Sequence, residues 1–101
     1  QAVPQPLWVK NPAIGLAPDW PYRRAEVTIP PGARLHLFSD GAFELVTADG
    51  RELGIGDFLP VLTAAPMPGI AEPERLWRAV RTAARPGPLD DDVSLVALDF
   101  A

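Results

Sequence analysis

The chain has 101 residues, 48% of them hydrophobic, which suits one small domain or part of a larger one. Its net charge is −4 with no long basic run, which argues against a nucleic-acid partner, and no apolar stretch approaches the roughly 20 residues of a membrane span. Without cysteine, disulfides and thiolate zinc sites are excluded; a bound metal would rely on oxygen ligands or the single His36, which favours magnesium, manganese or calcium over zinc.

Residues 1–22 carry Pro4, Pro6, Pro12, Pro18 and Pro21, each without an amide donor, so an edge strand around Leu7-Trp8-Val9 plus loops is the most this region supports. Residues 24–29, Arg-Ala-Glu-Val-Thr-Ile, alternate and include β-branched side chains, which predicts a strand. Pro30-Pro31-Gly32 predicts a turn, and residues 34–39 a second strand running into Asp40-Gly41. Residues 43–46 read as a turn of helix or an extended piece, and Asp49-Gly50 as another turn.

Residues 57–62 predict one or two helical turns. A clearer helix spans residues 73–84, with Pro73 in the first turn, where its missing amide costs nothing. Leu76, Val80, Ala83 and Ala84 fall on one face. Arg75, Arg78, Arg81 and Arg85 fall on another, expected to be solvated. Arg85-Pro86-Gly87-Pro88 stops the helix, and the nearly continuous apolar run 93–100 predicts a buried strand. The fold class is α+β, with helices packed on a mostly antiparallel sheet. His36 is expected as a half-exposed strand histidine, Trp8 and Trp77 as core or rim packing, and Asp99 as an exposed residue without a chemical role.

Two acidic spots lie at strand ends: Asp40 follows residues 34–39, and Asp90-Asp91-Asp92 precedes residues 93–100. If those strands are antiparallel neighbours, Asp40 and one acid of the triplet come together. Two adjacent carboxylates repel unless a cation lies between them, and a hard divalent ion resolves that conflict. Each spot alone reads as something simpler: Asp-Gly is a common turn dipeptide, and an acidic triplet a solvated loop.

Residues 35–44, Leu-His-Leu-Phe-Ser-Asp-Gly-Ala-Phe-Glu, resemble the apolar strand and [ST]-D-G-x-x-E motif of SpoIIE-like phosphatases. Asp49-Gly50-Arg51-Glu52-Leu53-Gly54 is similar to the D-G-x-x-[FL]-G stretch that follows it in that family. Residues 90–98, Asp-Asp-Asp-Val-Ser-Leu-Val-Ala-Leu, resemble the closing D-D-[ILMV]-[ST]-L-[LV] strand, and Pro12-Ala13-Ile14-Gly15-Leu16 is similar to the G-x-P-L-G segment. Order and spacing agree across about residues 6–100.

The resemblance implies a partial PP2C-like α/β sandwich and metal-dependent dephosphorylation of phosphoserine or phosphothreonine on a bacterial regulatory protein, such as an anti-sigma-factor antagonist. It implies manganese or magnesium in a two-metal site, with Asp40 and Asp91 as ligands and metal-activated water as the nucleophile. Gly41, Glu44 and Asp92 fall in supporting positions: Gly41 in the turn that aims Asp40, Glu44 and Asp92 beside the ligands. The family's first half supplies a further metal aspartate in a G-D-x-x-D motif, which has no counterpart before residue 40. Residues 1–101 therefore read as the C-terminal portion of one phosphatase domain within a larger cytoplasmic signalling protein. Alone, they are expected to bind metal weakly and to hydrolyse little or nothing. The alternative reading is a catalytically inactive phosphatase-like interaction module. A homodimer through surfaces left open by the missing half is a further expectation.

Overall fold

A computed structural model describes residues 4–7 and 15–101. Strand β1 (Arg34–Phe38) is followed by a 3-10 turn at Asp40–Ala42, helix α1 (Ile55–Thr63), helix α2 (Glu72–Ala83) and strand β2 (Leu95–Asp99). The first and last elements pair antiparallel, from Arg34 opposite Asp99 to Phe38 opposite Leu95. The α+β class is as the sequence predicts. Trp8 and most of the G-x-P-L-G-like segment lie outside the described residues.

Helix α1 opens on a reciprocal cap: the Asp57 carboxylate accepts the Gly54 N–H at 2.9 Å, and the Gly54 carbonyl accepts the Asp57 N–H at 3.0 Å. Helix α2 has proline in its first turn, and its apolar stripe buries Leu76 and Val80. These two join Ala42, Leu45 and Phe58 as the core. Phe38 packs edge-on against Phe58 and Phe43, with ring centroids 5.1 and 6.1 Å apart. The core thus sits between the helices and the end of β1 that leads into Asp40.

Side chains alternate across the sheet. Arg34, His36, Phe38, Leu95 and Ala97 share the face toward α2. Leu35, Leu37, Val96 and Leu98 share the other, where Leu37 is 51% exposed and Val96 and Leu98 are each 45% exposed. The expectation of a buried closing strand is corrected here: only one face of β2 is covered, so its apolar run spans both a packed and an open surface.

The strand predicted at 24–29 is not present. Residues 21–30 have no regular secondary structure, are exposed throughout and lie outside any ladder. The chain reverses at Pro30-Pro31-Gly32, where Ala33 N–H donates to the Pro30 carbonyl at 3.2 Å and Gly32 has φ +79°. Proline second and a positive-φ glycine third make the type II pattern, which splays the flanking segments instead of pairing them. Beyond the turn the ladder continues toward β2, with Gly32 N–H on the Phe100 carbonyl at 2.9 Å.

Arg75 corrects the solvated arginine stripe. It is 7% exposed and grips Glu72 with two 2.7 Å hydrogen bonds. Arg78 pairs with Glu74 on the exposed side, as the stripe predicts. Glu72 is itself buried and also meets Arg34 at 3.0 Å and His36 at 2.9 Å. His36 is therefore turned inward against an acid, with its side chain 14% exposed. Asp99 is exposed but holds Arg34 through a two-pronged ion pair.

Candidate metal-binding acidic turns

Strand pairing brings the two acidic segments to one end of the sheet. One step past the Phe38–Leu95 pair, Ser39 N–H donates to the Ser94 carbonyl at 3.0 Å, and Ser94 N–H donates to Ser39 Oγ at 2.9 Å. The Ser39 hydroxyl also donates to the Asp92 carbonyl at 3.3 Å. Asp40 then begins a tight turn in which its carbonyl accepts Phe43 N–H at 3.1 Å and Glu44 N–H at 2.8 Å. Of the two readings of residues 43–46, the helical turn falls earlier, at Asp40–Ala42, while Val46 makes an antiparallel bridge with Glu52.

Gly41 is buried, and its backbone lies directly against the other acidic segment. A Cβ at Gly41 would stand 2.1 Å from the Asp92 carbonyl oxygen and 3.5 Å from Asp91 Cβ. Gly41 lies in the tight turn that carries Asp40, and glycine is required there by close backbone approach and not by a positive φ. The Asp40-Gly41 turn and the Asp91-Asp92 turn are in contact through their main chains.

Asp40, Asp91 and Asp92 are all exposed. The Asp91 carboxylate accepts the Asp92 N–H at 2.8 Å, which fixes one of its oxygens locally. Glu44 and Asp91 line the same shallow depression, with Gly41, Leu89, Asp90 and Arg85 around them. Arg85 pairs with Asp90 at 3.3 Å and anchors its backbone to Val46 at 2.8 Å, so the depression has one cation on its rim. The sequence reading placed Arg85 with the helix stripe and missed this position. It also missed Ser39, whose signal is a serine at the end of one motif facing the serine of the other.

The donors at this end of the sheet are carboxylate oxygens, the kind that manganese and magnesium take. They fit such an ion in chemical type. Among the described residues, however, no three acidic, histidine or cysteine side chains gather as a metal-holding group.

A family model for Stage II sporulation protein E (SpoIIE) matches residues 1–101. The chain belongs to the SpoIIE family. In the same comparisons no curated protein and no solved structure matched it. SpoIIE membership implies a phosphatase-related function in signalling. No helix among the described residues is long and apolar enough to cross a membrane.

Proposed function

We propose that this SpoIIE-family chain contributes Asp40 and Asp91 to a manganese- or magnesium-dependent phosphatase centre that hydrolyses phosphoserine or phosphothreonine on a regulatory protein. The supporting observation is the close approach of Gly41 to the Asp92 carbonyl, which holds two acidic turns distant in sequence against each other. Bound there, a divalent ion supplies an activated water and neutralises phosphoryl charge. The chain's part is to hold oxygen donors at fixed spacing, with Glu44 and Asp92 orienting them. Because two turns offer few ligands, the reading assigns this chain a share of a larger site within a longer protein.

A second reading, an interaction module without hydrolysis, draws support from the lack of a three-acid group among the described residues. Manganese-induced broadening of the Gly41, Asp91 and Asp92 amide signals separates the two. The phosphatase reading expects selective broadening that Asp40→Asn abolishes. In the longer protein, the same variant should lower phosphopeptide hydrolysis by at least about 100-fold, the scale at which even supporting residues of metal sites act. Broadening and hydrolysis both unchanged in Asp40→Asn would remove Asp40 from the site.

A further inference from the structure

We propose that Ser39 is a positioning residue: its hydroxyl sets the spacing between the Asp40-Gly41 turn and the Asp91-Asp92 turn. Its importance for metal binding rests on the function proposed above; the spacing itself does not. Ser39 stands directly before Asp40; its carbonyl accepts the Ala42 N–H at 3.0 Å within the turn, and its other three hydrogen bonds cross to the second motif. Its N–H bonds the Ser94 carbonyl at 3.0 Å, its Oγ accepts Ser94 N–H at 2.9 Å, and its hydroxyl donates to the Asp92 carbonyl at 3.3 Å.

The two hydroxyl contacts differ in kind from the ladder bond. A regular antiparallel pair is held by main-chain groups, which any residue supplies. Here the Ser94 amide is satisfied by a side chain, so the ladder ends in a bond that depends on residue type. The acceptor at the other side, the Asp92 carbonyl, is the same oxygen that Gly41 approaches too closely to tolerate a Cβ. Ser39 and Gly41 therefore converge on one oxygen: glycine permits the approach, and the hydroxyl pulls the carbonyl into it. Asp40 lies between them, and Asp91 is adjacent to the residue being held.

A hydroxyl can accept one bond and donate another at once, which alanine cannot do and threonine can. Ser39→Ala leaves the Ser94 N–H without this acceptor and frees the Asp92 carbonyl to move. The experiment is NMR on the 101-residue chain, comparing wild type, Ser39→Ala and Ser39→Thr without metal and then with manganese. Without metal, the wild type should show a proton–proton contact between Gly41 Hα and Asp91 Hβ. Ser39→Ala should lose it and speed exchange of the Ser94 amide, while amide protection at Leu76 and Val80 stays unchanged. Ser39→Thr should keep it.

Retention of the Gly41–Asp91 contact in Ser39→Ala overturns the positioning role, whatever manganese does. So does its loss in Ser39→Thr with the core still protected. With manganese, broadening at Gly41 and Asp91 should need about 10- to 100-fold more metal in Ser39→Ala than in wild type, the range seen when outer partners of metal ligands are removed. A wild type that shows no selective broadening counts against the proposed metal site, while the metal-free contact still decides Ser39.

Discussion

At Gly41 one hydrogen atom separates a working turn from a clash. The built Cβ falls 2.1 Å from a backbone oxygen, and backbone cannot swing aside as the end of a flexible side chain can. Gly41→Ala must push the two acidic turns apart, and overpacking of this kind costs about 1–3 kcal/mol. Urea unfolding of the variant should show that loss. The Gly50→Ala variant, with open space around its Cβ, serves as the contrast, its penalty coming from φ +85° instead of contact. Residue type at position 41 was legible in the sequence as Asp-Gly, but its reason was not. The dipeptide suggests local turn geometry, whereas the constraint comes from a carbonyl about fifty residues away in the chain.

Among the elements, α2 is fastened to the sheet by charge as well as by Leu76 and Val80. Glu72, in its first turn, is hydrogen-bonded first by Arg75, then by His36, with Arg34 close by and Asp99 behind Arg34. Arg75, His36 and Arg34 hold its carboxyl down to about 2 from an ordinary 4.5 despite its burial. A carboxylate with a depressed folded value stabilises above its unfolded value and loses that contribution as pH falls through the folded one. Stability should therefore drop between about pH 4.5 and pH 2, by up to about 1.4 kcal/mol per pH unit from this group. Glu72→Gln should flatten that part of a pH series of urea unfolding curves, at the cost of lower stability at neutral pH. An unchanged acid slope would mean that other carboxylates carry it.

The helices were legible because periodicity is local: the stripe of Leu76 and Val80 predicts the buried face of α2, and the proline and glycine punctuation predicts its ends. Arg75 was not, because helical spacing places it beside the apolar stripe without revealing the buried Glu72 one turn back. Residues 24–29 show the other limit. Alternation describes a segment able to become a strand, but a strand needs a neighbour, and the turn at residues 30–33 leads away from β1. The pairing of β1 with β2 could be reasoned from the two acidic motifs only by assuming that they meet.

Taken as a whole, the molecule is one-sided. Its core occupies one face of a two-stranded sheet, and the face bearing Leu37, Val96 and Leu98 is open. A two-stranded sheet is marginal by itself, and exposed strand edges beside apolar side chains favour association. The 101-residue chain should self-associate with rising concentration in sedimentation velocity. Leu37→Thr combined with Val96→Thr should reduce that association while leaving the Leu76 and Val80 amides protected. Association equal to wild type in the double variant would place the contact elsewhere, as at the exposed segment around Val27 and Ile29.

The pairing of the first strand with the last also dictates an order of events. Helices α1 and α2 close through contacts a few residues apart, whereas Arg34 and Asp99 must find each other across 65 positions and Ser39 and Ser94 across 55. Loop closure grows costlier only slowly with length, about 0.6 kcal/mol per doubling, but it must be met before distant contacts can repay it. The acidic turns are thus expected to come together late in folding, after the helical layer has local order. Until β2 zips onto β1 the chain carries its acids as separate, solvated loops, and the seating of Gly41 against the Asp92 carbonyl arrives with the final tertiary contact.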